Sequence, residues 1–296
     1  FGKDSTDPWS FNFNTPEGTG YYQFYSMSND TVGNRERLPA SWDAAYAYDP
    51  NAPVFTSPLI YNGNYNGFYF KGQISISANV SDAGVGLNVS SRLVSVNGGA
   101  YTDVGVSYSG GKIYYNNYNP GANFNIRFRI SDHLSNQATS ALITFTHDST
   151  APTFGNPEIY NSSTYGVYYN GRINIRVTAA DAGIGLDGGT PLYSLDNGAS
   201  WQNADWDGTY IYKENLNPGG NIEIKFSMKD LLGTLGNSNM LNMKLDSNKP
   251  VSSVSQITPY WKTTSPITIS NSVTDNGESG VKDLALWYKF SVDNTT

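Results

Sequence analysis

Residues 119–132 read NPGANFNIRFRISD, and residues 217–230 read NPGGNIEIKFSMKD. Apolar side chains fall on every second position, as Phe124, Ile126, Phe128 and Ile130 in one stretch and Ile222, Ile224, Phe226 and Met228 in the other. A period of two sends alternate side chains to opposite faces of an extended chain, so both stretches predict strands with one buried face. Working upstream, SDAGVGL (81–87) is matched by ADAGIGL (180–186), and GFYFKGQISI (67–76) by GVYYNGRINI (166–175). The alternation recurs there too, through Ile74, Ile76, Ala78 and Val80 and through Ile173, Ile175, Val177 and Ala179. Ala52-Pro53 and Ala151-Pro152 open the two copies, 99 positions apart (151 − 52). Two internal repeats of this size, made of short strands and Gly/Asn/Asp turns, predict two all-β sandwich domains at 50–150 and 151–249. No segment carries an amphipathic helical pattern.

The two ends read as halves of a third copy. Residues 250–296 hold Pro250, an alternating stretch through Ile267, Ile269 and Val273, and then TDNGESGV (274–281), which together form the opening half. Residues 1–49 hold TPEGTGYYQFYSMSND (15–30), the closing strand. Neither half should fold alone, because each exposes the apolar face that the other covers. The spacing between the two Asp landmarks is 132 − 82 = 50 in one repeat and 230 − 181 = 49 in the next; joining Thr296 to Phe1 of another copy gives 296 − 275 + 30 = 51. The expectation is therefore an opening half at 250–296 completed by the 1–49 region of the next unit. Partners would be further copies head to tail. A covalent array is favoured, and strand complementation between separate subunits is the second reading.

Only 15% of the 296 residues are charged, against about 25% in average proteins, and Asn, Ser, Thr, Gly and Tyr supply the polarity instead. A net charge of −7 without a Lys/Arg cluster argues against nucleic acid as a partner. No run approaches the roughly 18 apolar residues of a membrane span, so any anchor is expected outside these residues. There is no cysteine, which removes disulfides, thiolate metal sites and thiol nucleophiles.

The closing segment GTGYYQFYSMSNDTVGNRE (18–36) and the opening segment PVSSVSQITPYWKTTSPITISNSVTDNGESGVKDLALWYKF (250–290) resemble the end and the start of immunoglobulin-like repeats of archaeal and bacterial cell-surface proteins, the archaeal ones most of all. The two internal copies depart from that pattern: the Gly-Asn turn becomes Ser135-Asn136 in one and moves to Gly236-Asn237 in the other. The resemblance implies tandem immunoglobulin-like sandwiches, an extracellular location and a structural, adhesive or sheath role. It implies no chemistry.

No catalytic constellation is legible. The only histidines, His133 and His147, have no counterpart in the other repeats, and no base is paired with a nucleophile. The chain is expected to be no enzyme and to need no cofactor. Calcium is the open metal question. Asp82, Asp181 and Asp275 precede a Gly-rich bend in each repeat, and Asp30, Asp132 and Asp230 end the closing strand. Ca²⁺ needs six to eight oxygens, and one Asp per turn is too few, so capping of turn amides is the favoured reading and weak Ca²⁺ the other. The seams near Asp49, Asp148 and Asp246 are the better places for a second carboxylate to join. Asn29, Asn79, Asn88, Asn161 and Asn294 each begin a glycosylation sequon. Tyrosines at 61, 65 and 69, at 114, 115 and 118, and at 160, 165, 168 and 169 cluster in corresponding places. They read as packing residues or, less favoured, as platforms for surface glycans, with Tyr168 and Tyr169 as the residues to replace. A structural fibre or stalk is thus the first reading, and an adhesin or carbohydrate-binding module the alternative.

Overall fold

The computed structural model describes residues 2–259 and 261–292. Among them there is no helix, and none long and apolar enough to cross a membrane. The chain divides into two compact units, 1–149 and 150–296.

The first unit begins with a hairpin-like pair, β1 (Gly20–Phe24) and β2 (Ala44–Tyr48). Then come β3 (Val54–Phe55), β4 (Leu59–Asn66), β5 (Tyr69–Ser81), β6 (Leu87–Val96), β7 (Val106–Ser109), β8 (Lys112–Tyr118), β9 (Phe124–Asp132), β10 (Gln137–Thr139) and β11 (Ile143–His147). One layer has β5 at its centre, antiparallel to β3, β4 and β8, with β7 beyond β8. The other has β9 at its centre, antiparallel to β6, β10 and β11. β11 joins the layers: it leaves β9 and pairs parallel to β5 through Thr146–Tyr69 and His147–Phe70. The core lies between the layers and is built from the alternating residues of both central strands. Ile74, Ile76, Ala78 and Val80 face Phe124, Ile126, Phe128 and Ile130, none more than 3% exposed. Each such side chain contributes roughly 1.5–3 kcal/mol by leaving water.

The second unit repeats this plan. Its strands are β12 (Thr153–Phe154), β13 (Glu158–Tyr160), β14 (Thr164–Tyr165), β15 (Tyr168–Tyr169), β16 (Ile173–Ala180), β17 (Leu192–Ser194), β18 (Gln202–Asn203), β19 (Asp205–Trp206), β20 (Tyr210–Leu216), β21 (Ile222–Lys229), β22 (Leu235–Asn237) and β23 (Leu241–Leu245). β16 carries β12, β13 and β20, and β21 carries β17, β22 and β23. β23 crosses over as β11 does, pairing antiparallel to β21 and parallel to β15. Ile173, Ile175, Val177, Ile222, Ile224, Phe226 and Met228 form its core. Two layers of antiparallel strands around one core make each of these an immunoglobulin-like β-sandwich, as the alternation predicts. Beyond β23 only one further pair forms among the described residues, β24 (Val251–Val254) with β25 (Asn271–Thr274).

Register links the terminal pairs to the complete sandwiches. β1–β2 sets Tyr22 against Tyr46 and Phe24 against Ala44. Counted back from the strand-end Asp and from the seam Asp, these are the pairs Phe124–Phe145 and Ile126–Ile143 of β9–β11, and Ile222–Met243 and Ile224–Leu241 of β21–β23. At the other end, Val251–Thr274 and Ser252–Val273 of β24–β25 correspond to Thr153–Ala180 and Phe154–Ala179, and to Val54–Ser81 and Phe55–Val80.

Candidate functional site

The sequence places an Asp at the end of each closing strand, and the structure gives all three the same turn. Asp132 Oδ1 accepts hydrogen bonds from the amides of Leu134 and Asn136, both at 2.8 Å. Asp230 Oδ1 accepts from Leu232 and Thr234 at 2.8 and 2.7 Å, and Asp30 Oδ1 from Val32 and Asn34 at 3.0 and 2.7 Å. A carboxylate that binds amides two and four residues on closes the chain into a tight turn, which is why Asp stands there. The fifth turn residue is Asn34, Asn136 or Thr234. The landmark shared by all three copies is therefore the Asp rather than the Gly-Asn pair.

The second Asp set caps the Gly-rich bend in the same manner. Asp82 Oδ1 accepts from Gly84 and Gly86, Asp181 Oδ1 from Gly183 and Gly185, and Asp275 from Gly277 and Gly280. Capping, the favoured sequence reading, is thus present at all six positions. It occupies Oδ1 alone at five of them; at Asp275, Gly277 binds Oδ1 and Gly280 binds Oδ2.

In the first unit a third carboxylate comes in from the end of β2. Asp49 Oδ1 accepts from Asn51 N and Oδ2 from Val85 N, each at 3.0 Å. These amides, Val85 first, hold its carboxyl below the ordinary aspartate range. Gly84 makes the approach feasible, because a Cβ there would stand 1.9 Å from Asp49 Oδ2. Asn136 ties the parts together, its Nδ2 donating to Asp49 O and to Asp132 Oδ2, each at 2.7 Å. Carboxylate oxygens of Asp49, Asp82 and Asp132 all lie within 4.8 Å of one another, with Asp49 and Asp132 buried and Asp82 half-buried. The ion pairs Arg176–Glu158, Lys213–Asp205 and Lys244–Glu278 lie elsewhere.

In the second unit, oxygens of Asp181 and Asp230 approach one another within the same 4.8 Å. Their Oδ2 atoms are buried and have no hydrogen-bond partner among the described residues. Asp246 stands to Asp275 as Asp49 does to Asp82. Its Oδ1 accepts from Asn248 N and its Oδ2 from Ser279 N, and these bonds with the Ser279 side chain first keep its carboxyl low. A Cβ at Gly277 would lie 1.7 Å from Asp246 Oδ1, so this bend admits a seam carboxylate by the same omission of a side chain.

The remaining candidates separate. Asn29, Asn79 and Asn161 are exposed. Asn88 is half-buried and its Oδ1 accepts from Ser90 Oγ at 2.6 Å, while Asn294 lies outside the described residues. His133 is exposed, and His147 packs edge-on against Phe70. Among the tyrosines, Tyr165 is 77% exposed, whereas Tyr169 is 1% exposed, with its hydroxyl bonded to Gly220 O. Tyr169 is a core residue and cannot serve as a surface platform. Phe70 holds the equivalent place in the first sandwich, also buried, and that correspondence is the signal the tyrosine cluster conceals. Tyr160 and Tyr210 have their faces covered by the Arg176 guanidinium, 4.7 and 4.5 Å from the ring centres. Burial, and then the hydrogen bond to Glu214, pushes the Tyr160 hydroxyl up to about 12.

No protein-family model matches this sequence, and no curated protein matches it. Among solved structures, the fibronectin(III)-like modules of Clostridium thermocellum CbhA are 15% identical, with a TM-score of 0.32 over 64% of this chain and 92% of that one. Sidekick-1 immunoglobulin domains 1–5 are 13% identical, with a TM-score of 0.32 over 82% of this chain and 49% of theirs. The N-terminal Ig1-2 module of the Drosophila receptor protein tyrosine phosphatase DLAR is 13% identical at a TM-score of 0.24, over 64% and 99% of the two chains. These neighbours are tandems of immunoglobulin- or fibronectin-III-like domains. At such scores they add nothing to what the strand pairings establish.

Proposed function

We propose that the chain is a non-catalytic structural unit of an extracellular fibre or stalk, in which immunoglobulin-like domains follow one another and the opening half at 250–296 is completed by the closing half, 1–49, of the next unit. The observation that carries this reading is register. β24–β25 repeats the opening pairs β3–β5 and β12–β16, and β1–β2 repeats the closing pairs β9–β11 and β21–β23. The Asn29–Arg35 bridge likewise repeats Ser131–Gln137 and Lys229–Leu235. Each terminal piece has the strand pairs that the other lacks.

Exposure supports the same reading. In the complete first sandwich, the stretch after the Gly-rich bend is β6, paired with β9. The corresponding stretch of the opening half carries Leu284, Leu286, Trp287, Tyr288 and Phe290, of which Trp287 is 88% and Tyr288 89% exposed. In the closing half Trp9 and Tyr21 are 69% and 72% exposed. Aromatic side chains of this size lose most by staying in water, and each is a covering surface for a missing partner. The cell-surface repeats that 18–36 and 250–290 resemble, with exposed sequons at Asn29, Asn79 and Asn161, favour an extracellular, glycosylated setting. The carbohydrate-binding alternative is weaker, since Tyr169 is in the core and Arg176 covers Tyr160 and Tyr210.

The test is the state of association of the 1–296 chain by light scattering and electron microscopy. Complementary halves at the two ends should give linear oligomers that lengthen with concentration, and removal of 250–296 should leave single units. A chain that stays monomeric at about 100 µM, well above the micromolar dissociation constants of ordinary specific interfaces, would contradict the proposal.

A further inference from the structure

We propose that Asp49, Asp82 and Asp132 bind a calcium ion, and that Asp181 and Asp230 hold the equivalent ligand positions in the second unit. The inference rests on the division of labour within each carboxylate. In Asp82, Asp132, Asp181 and Asp230, Oδ1 is committed to two turn amides, and that commitment fixes where Oδ2 points. The carboxylates converge rather than diverge: one oxygen of Asp49, Asp82 and Asp132 each lies within 4.8 Å of the others, and Asp181 and Asp230 approach within the same distance. Like charges brought this close and out of water destabilise the fold unless something positive lies between them. In the first unit the side chains that donate to the three carboxylates, Asn136 to Asp132 and Asn51 and Thr19 to Asp49, are all neutral.

The second unit supplies the independent observation. Asp230 is 1% exposed, yet its Oδ2 has no hydrogen-bond partner among the described residues, and neither has the buried Oδ2 of Asp181. Buried carboxylate oxygens are bonded in nearly all native structures, and an orphan one calls for a water or a cation to meet it. Two such orphans belong to residues whose carboxylates lie within 4.8 Å of each other, at the positions of Asp82 and Asp132, and they mark the place where the ion would sit.

Geometry selects the ion. Ca²⁺ binds oxygen at about 2.3–2.6 Å, so two ligands on opposite sides of it are at most about 5 Å apart. Oxygens of all three carboxylates within 4.8 Å of one another can therefore touch one Ca²⁺. With three carboxylates offering about one oxygen each, water must complete the shell. That places the affinity with extracellular calcium modules, on the order of 0.1–1 mM, rather than with high-affinity buffers.

The experiment uses the full chain, freed of metal by chelation and titrated with calcium chloride by calorimetry, with the melting temperature recorded in chelator and in 10 mM calcium. Saturable binding in the range of about 0.1–1 mM is expected, with a rise in Tm on the order of 5 °C. The double variant D82N/D181N keeps the shape of both carboxylates but removes a charge from each site, and should bind calcium at least about tenfold more weakly. Binding to the variant as tight as to the native chain would overturn the assignment. If the variant fails to fold, the native titration decides alone: no heat up to 10 mM calcium and no change in Tm would also overturn it.

Discussion

Replacing Gly84 with alanine tests the seam in the first unit at the level of single atoms. The new Cβ would meet Asp49 Oδ2 at 1.9 Å, Asp49 Cγ at 2.5 Å and Thr19 Cγ2 at 2.6 Å. Gly84 does not have a left-handed φ, so the whole effect comes from this overlap rather than from backbone strain. Non-bonded carbon and oxygen do not approach within about 3 Å, so the Asp49 carboxylate must retreat by about 1 Å or more. Its hydrogen bond from Val85 N, 3.0 Å long, is then broken. Val85 is 7% exposed, and a buried amide left without an acceptor destabilises by about 1–3 kcal/mol. Gly220→Ala is the control, because nothing lies within 4 Å of its Cβ and its φ is also unexceptional; it should be neutral or stabilising by up to about 1 kcal/mol. Urea unfolding gives the magnitude, and amide hydrogen exchange of the 82–86 bend shows where it arises. If Gly84→Ala keeps native stability within about 0.5 kcal/mol and native protection at Val85, Asp49 does not occupy the space above Gly84 and the seam is built differently.

Three further outcomes follow from the same structure. Phe128→Ala and Phe226→Ala each empty a fully buried site at the centre of a sandwich, so each should destabilise its own unit by about 3–5 kcal/mol in chemical denaturation and leave the other unit's transition in place. Asp196 is held at about 2 by hydrogen bonds from Ser194 and Ser200. A depressed folded-state value means its contribution is complete above about pH 4 and is lost as the pH falls toward 2, so an acid titration of stability should be flatter over that window in Asp196→Asn. Tyr169→Ala should lower the stability of the second unit by about 3–5 kcal/mol, whereas Tyr165→Ala, at a 77% exposed position, should change it by less than about 0.5 kcal/mol in the same denaturation assay.

The buried faces were legible because they rest on alternation, which a single sequence displays in full. Ile74, Ile76, Ala78 and Val80 and the series from Phe124 to Ile130 are in the core in the phase that the pattern gives. The crossing of β11 and β23 from one layer to the other was not legible. It rests on two paired residues in each case, too few to leave a period. The candidate cation site was half legible. Both Asp sets stand out by recurrence, and turn capping follows from local spacing. The seam at Asp49 stood out as the place for a second carboxylate to join, but that Asp82 and Asp132 are the residues it meets, 33 and 83 positions away (82 − 49 and 132 − 49), no local pattern records. Tyr169 misleads for a related reason. A tyrosine suits both the surface and the core, and only its correspondence with Phe70 separates the two.

Whether 250–296 and 1–49 are complementary halves of one sandwich is decided by a single polypeptide in which 250–296 is followed immediately by 1–49. It has about 100 residues, the size of one such domain. Complementary halves should fold when joined, with a cooperative unfolding transition and dispersed amide resonances, while each half alone should not. A fused polypeptide that remains unfolded, or a half that folds by itself, would show that the two ends do not belong to one domain.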